Sequence, residues 1–227
     1  MASYLFDLLV KPDAFFQKKM ADKENLFTPA KIVLAGAILG AAGGYLTSSL
    51  TAKIMGWAGL GTSFAVAFSV IGAFIGIFVT WAIVTGIFYV ISLVFNGNGS
   101  FSRCLEVIGY GFLPRVIGAL VTLVVTVVYI PLITVPRIAP DAVNNPQALL
   151  GATKTLMSDP MMIQFSRITL AVSIIFLLWS AYCWTYGMKH ARQLTLRNAA
   201  ICVGVPVILY IIYVVCAMFL LYALVWG

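Results

Sequence analysis

Long apolar runs separated by short polar stretches set the pattern of this chain. The runs lie at roughly 32–50, 62–95, 101–135, 168–186 and 199–226. A helix of about 20 apolar residues crosses the roughly 30 Å hydrocarbon layer of a bilayer, and each run reaches that length. The pattern predicts an all-α, polytopic membrane protein with five transmembrane helices, preceded by an amphipathic N-terminal segment. The expected division is residues 1–31 for that segment and 32–227 for a single five-helix transmembrane domain.

Within the first segment, Ser3 is placed to cap a short helix over Tyr4 to Val10, with Tyr4, Leu5, Leu8 and Leu9 on one face. Pro12 suits the first turn of a second helix, and Asp13 there is favoured by the helix dipole. Phe15, Phe16 and Met20 share an arc with Lys19 and Lys23. Because Lys can snorkel, such a segment fits the headgroup region. Packing on the protein's own polar end is the alternative.

The first span carries Gly36, Gly40 and Gly44 at four-residue spacing, a ridge without side chains that lets another helix approach closely. Gly72 and Gly76 in the second span are the expected counter-surface. A connector with Trp57 at the interface separates the two. The second span, at 34 residues and 1.5 Å each, is about 51 Å long and must tilt or project. Asn96-Gly97-Asn98-Gly99 is a turn signal, and Ser100 is an N-cap for the third helix. Pro114 cannot donate to the carbonyl of Tyr110, so a kink is expected there.

Beyond Val135 the chain is polar and broken by prolines. Asn145-Pro146 starts a short interfacial helix with Leu149, Leu150, Thr153, Leu156 and Met157 on one side. Asp159-Pro160 starts the fourth helix. Gly187 to Asn198 reads as a basic loop, and Pro206 lies inside the fifth span.

Composition agrees with the pattern. Hydrophobic residues make up 62% and charged residues 9%, against about 45–50% and about 25% in soluble domains. A net charge of +7 would point to nucleic acid in a soluble protein. Here the basic residues sit at helix ends, where anionic headgroups favour them, and no nucleic-acid partner is expected. Lys11, Lys18, Lys19, Lys23, Lys31, Arg103, Lys189, Arg192 and Arg197 fall on one side, and Lys53, Arg137, Lys154 and Arg167 on the other. This bias predicts a cytoplasmic N-terminus and an external or lumenal C-terminus. With no basic n-region and Asp7 in the first apolar stretch, no cleavable signal is expected.

Candidate chemistry is sparse. Arg115 is the sharpest residue, because intramembrane ionisable groups are costly and mark function; the alternative is a snorkelling anchor stabilised by a carbonyl freed near the kink. Glu106, nine residues earlier, lies on the opposite helical face and is expected to pair with Arg103 at i−3 or to line a cavity. Glu106, Gly109, Tyr110, Pro114 and Arg115 together form the candidate intramembrane site. His190 stands alone without co-ligands and is expected to face headgroups. Cys104, Cys183, Cys202 and Cys216 read as small hydrophobes. No metal site, cofactor or catalytic motif is expected, and the chain is read as no enzyme.

Three stretches carry a resemblance: Pro12-Asp13-Ala14-Phe15-Phe16, Gly97-Asn98-Gly99-Ser100-Phe101, and above all Gly109-Tyr110-Gly111-Phe112-Leu113-Pro114 with its Gly-Tyr-x-x-x-Pro pattern. With Gly187 to Leu194 as the fourth-to-fifth connector, the chain resembles the Yip family, multispanning membrane proteins named in eukaryotes for interacting with Rab-type GTPases. The resemblance implies five spans, a cytosolic N-terminus and a role in membrane organisation or trafficking without catalysis. Eukaryotic members have a longer N-terminal region with an Asp-Leu-Tyr-Gly-Pro motif. This chain lacks both and looks like the compact prokaryotic form, which speaks against a GTPase partner. The expected partners are membrane lipids, other membrane proteins or a second copy of the chain. The expected location is a prokaryotic cell membrane. A small transporter, channel or lipid-moving protein using the Arg115 region is the alternative.

Overall fold

The computed structural model describes residues 2–54, 60–136 and 145–226. Two short helices, α1 (Ala2–Val10) and α2 (Pro12–Lys19), precede α3 (Phe27–Ile54) and α4 (Leu60–Val94). The third span is split into α5 (Phe101–Gly111) and α6 (Leu113–Tyr129), closed by a 3-10 turn at Ile130–Leu132. An outer helix α7 (Pro146–Ser158) leads to α8 (Pro160–Ala191) and α9 (Leu196–Trp226). Five of these stretches are long and apolar enough to cross a membrane, as the hydropathy pattern predicts. Trp57 and Arg137 lie outside the described residues.

Local chemistry sets the helix ends. The Asn25 side chain accepts from the Phe27 N–H at 2.8 Å, so α3 begins ahead of Pro29. Ser100 accepts from the Arg103 N–H at 3.0 Å. Asn145 accepts from Gln147, and Asp159 from Met161 and Met162. In each case a side-chain oxygen satisfies an N–H that the first helical turn leaves without a partner. α1 already begins at Ala2, which puts Ser3 inside the first turn instead of at the cap.

α5 is the rod around which the rest packs. Residues 106–111 are all buried, under α2, α3, α4 and α8. Leu8, Phe15 and Phe16 of the N-terminal helices are part of the same core as Val107, Ile108, Trp184 and Met188. The segment therefore packs on the protein itself. Only its other side, with Phe6 and Val10, is exposed.

Three further expectations are corrected. The Gly36–Gly40–Gly44 ridge does face α4, but through other residues. A Cβ on Gly44 would stand 3.2 Å from the Ser69 carbonyl, and one on Gly36 2.8 Å from Ile77 Cδ1, whereas Gly72 and Gly76 have nothing within 4 Å. Ser69, Ala73 and Ile77 lie one helical step round from those glycines and take the contact. Gly187 to Asn198 is no extended loop: α8 runs on to Ala191, and a turn of four residues leads into α9. Gly187 lies inside the helix, and a Cβ there would press on Val107 at 3.1 Å, so glycine is kept for packing and not for a turn. On α7 the inward positions are Leu149, Ala152 and Leu156, while Leu150 and Thr153 point outward.

Candidate functional site

The end of the molecule that carries the N-terminal helices is a closed network of charges. Glu106 is fully buried. Its carboxylate receives Arg103 at 2.7 Å, the expected i−3 pair, and Lys19 at 3.5 Å. Burial disfavours charge on Lys19, but the hydrogen bond to Asp22 and neighbouring negative charge outweigh it and hold its pKa up. Arg103 also donates to the Asp22 carbonyl at 2.8 Å. Glu24, beside Arg103, accepts from Ser100, and that hydrogen bond heads the causes that lower its pKa. On α2, Asp13 receives Lys189 at 2.7 Å and His190 at 2.6 Å. These two hydrogen bonds, Lys189 first, hold the Asp13 carboxyl below its ordinary 3.8. His190 is thus a partner of Asp13, not a residue turned to headgroups.

Arg192 is 2% exposed and ties two turns together. Its guanidinium donates to Ser92 Oγ at 2.9 Å and to the carbonyls of Gly97 and Gly99, with the Tyr89 ring 4.3 Å away. In return its own carbonyl accepts from the Asn98 N–H at 2.9 Å. Gly99 has φ +141°, and a Cβ there would collide with the Ala191 carbonyl. Only glycine meets both demands. Nothing in the sequence marked Arg192 apart from the other basic residues of its segment.

The Gly-Tyr-Gly-Phe-Leu-Pro stretch is a packing device. A Cβ on Gly109 would lie 2.6 Å from Pro29 Cβ and 2.9 Å from Trp81, and one on Gly111 would enter the Trp184 indole. Tyr110 is buried against Phe15, ring centroids 5.4 Å apart. The helix is interrupted at Phe112, two residues before Pro114, where the Phe112 N–H turns to the Gly109 carbonyl at 3.3 Å. The Ile108 carbonyl is thereby released and accepts from the Trp184 indole at 2.9 Å. The Trp81 indole donates in the same way to the Leu105 carbonyl inside α5, also at 2.9 Å. A freed carbonyl deep in the protein needs such a donor.

Arg115 emerges just past this break. The structure does not gather the five candidate residues into one site. Glu106 faces the charged end, Gly109 and Tyr110 face α3, α4 and α2, and Arg115 faces open space between helices. It lines a cavity of about 440 Å³ between α3, α6 and α8, with Gly43, Thr122, Thr126, Thr169 and Ser173. On its other side is an apolar cavity of about 350 Å³ between α4, α8 and α9, lined by Ile83, Val84, Ile87, Pro206 and Val207. Tyr210 is its polar neighbour, and the Phe112 ring is 5.9 Å away. Among the described residues no carboxylate lies within ion-pair distance of it. Neither do the described residues hold a group of three His, Cys, Asp or Glu able to take a metal.

A bundle of five membrane-spanning helices, charged and closed at one end and carrying Arg115 beside two cavities, defines an integral membrane protein. The Yip1 domain model matches residues 6–218, and the chain belongs to the Yip1 domain family. It is also similar to an uncharacterized protein of Methanocaldococcus jannaschii, 40% identical over 121 residues, covering 52% of this chain and 85% of the relative. No solved structure matches it.

Proposed function

We propose that this Yip-family chain is a non-catalytic membrane organiser that works through lateral contacts with lipids, other membrane proteins or a second copy of itself. The reading is carried by α4, 35 residues and about 52 Å long. One of its faces runs through Phe68, Gly72, Ile75 and Val79, with Phe68 81% exposed and nothing within 4 Å of a Cβ on Gly72. In lipid, a helix associates where small residues let a partner come close, and this face leaves such a place open. By contrast, Glu106, Asp13 and Arg192 are all engaged in holding helices together. The positive-charge bias supports an N-terminus on the cytoplasmic side, and the archaeal relative supports a prokaryotic cell membrane. A GTPase partner is not part of the proposal. Gly72→Cys, made with Cys216→Ser to remove the exposed thiol, should yield a product of defined size with a short bis-maleimide in native membranes. A second copy doubles the 24.6 kDa mass. A lone monomer band would refute lateral contact through α4.

A second reading, a transporter or lipid-moving protein, is favoured by one observation: Arg115 between its two cavities. Liposome flux of ions, lipids or small solutes that disappears in Arg115→Ala, with the fold intact, is the expected result. No flux for any of them would remove this reading.

A further inference from the structure

We propose that the cleft at Arg115 binds one phospholipid, its phosphate on the guanidinium, its hydroxylated headgroup among the threonines and an acyl chain in the apolar cavity. The inference deepens the second reading above and rests on the same site.

Depth is the first argument. In the 32-residue span Phe101–Leu132, Arg115 stands about 21 Å of helix from one end and about 26 Å from the other. A guanidinium does not deprotonate under these conditions, and an unpaired charge at this depth is costly. Since no carboxylate among the described residues lies within ion-pair distance of it, an anion from outside is the missing partner. Phosphate matches the forked donors of arginine with two parallel hydrogen bonds.

The shape of the cleft selects an amphiphile. The threonine-lined cavity runs along α6 from Arg115 to Thr126 and uses the parts of α3 and α8 that lie away from the charged end, so it leads from Arg115 toward the α7 face of the membrane. Thr126 and Thr169 donate to carbonyls of their own helices at 2.8 Å. That leaves hydroxyl oxygens as acceptors facing the cavity, a surface that suits headgroup hydroxyls. The apolar cavity lies on the opposite side of Arg115, toward the charged end. Head, phosphate and chain then follow one another in the order that a lipid of the α7-side leaflet already has. Inorganic phosphate would fill only the middle of this arrangement.

Native mass spectrometry in dodecyl maltoside tests it, with phosphatidylglycerol, the matched diacylglycerol, oleate and inorganic phosphate as probes. Phosphatidylglycerol should be retained at one copy per chain. Arg115→Gln should weaken retention at least tenfold, since a charge-assisted bond of about 1.5–3 kcal/mol is lost. Gly43→Leu is the second variant. It keeps Arg115, favours helix and projects into empty space, because a Cβ on Gly43 meets nothing within 4 Å. It should also weaken retention tenfold by filling the cleft, and it decides the matter if Arg115→Gln does not fold. Equal retention of diacylglycerol or oleate overturns phosphate recognition. Saturation by inorganic phosphate alone overturns the lipid. Unchanged retention in either folded variant overturns the site. Retention without flux sinks only the transport reading, and flux of small solutes without retention sinks only this inference.

Discussion

At the residue scale, the most consequential groups are those whose charge is buried. Glu106 has no exposure, and its two cations are themselves only 9% and 14% exposed. Removing one partner of such a set leaves the others uncompensated, which costs about 3–5 kcal/mol for a fully buried pair. Arg103 and Lys19 keep Glu24 and Asp22 as second partners, so Glu106→Ala should cost about 3 kcal/mol, toward the low end of that range. A fall in the thermal unfolding midpoint in detergent checks it, and an unchanged midpoint would mean that Glu106 is dispensable. The Glu106–Arg103 pair was legible in the sequence, because three residues on a helix face one another. Lys19 was not, since 87 positions separate it from Glu106 and no periodicity reports that contact.

Elements are held by a few such residues placed at their ends. α2 is fastened to α8 by Asp13 with Lys189 and His190, and the segment after it is fastened to α5 by Glu24 with Ser100. Both carboxyls have pKa values lowered in the fold. A depressed acid contributes stability above its unfolded value of about 4 and loses it as pH falls through the folded value. The N-terminal helices should therefore loosen below about pH 4 and remain docked at neutral pH. Hydrogen-exchange protection factors in α1 and α2, corrected for the intrinsic rate at each pH, should fall in that window, and Asp13→Asn should show lowered protection already at pH 7 with a weaker pH dependence. Protection that is flat from pH 7 to 3 would count against this latch. The helix–helix seam teaches a similar lesson. The glycine spacing in α3 announced close approach, but which residues of α4 received it depended on the rotation of α4, and that is a property of the packed pair.

For the whole molecule, contacts place the N-terminal helices, the Asn96–Gly99 turn and the α8–α9 turn at the same end. Asp13 reaches Lys189, and Arg192 reaches Gly97 and Gly99. The side that this end faces follows from the charge bias alone. With Cys216→Ser as background, Lys23→Cys at this exposed end should resist an impermeant maleimide in intact cells and react after permeabilisation, and Lys154→Cys should behave in the opposite way. The reverse labelling would invert the proposed orientation.

Length and hydropathy by themselves determined the five spans, the turn at Asn96–Gly99, the capped starts at Ser100, Asn145 and Asp159, and the interruption near Pro114. Each of these depends on neighbours within about one helical turn or on the thickness of the bilayer. Only the tertiary structure decided that the N-terminal helices pack into the core, that Gly109 and Gly111 make room for tryptophans, and that Arg115 stands between two cavities. Those outcomes depend on which helix faces meet across long sequence separations. An apolar run that must be oily on all sides for lipid carries almost no record of which side its protein neighbours will take.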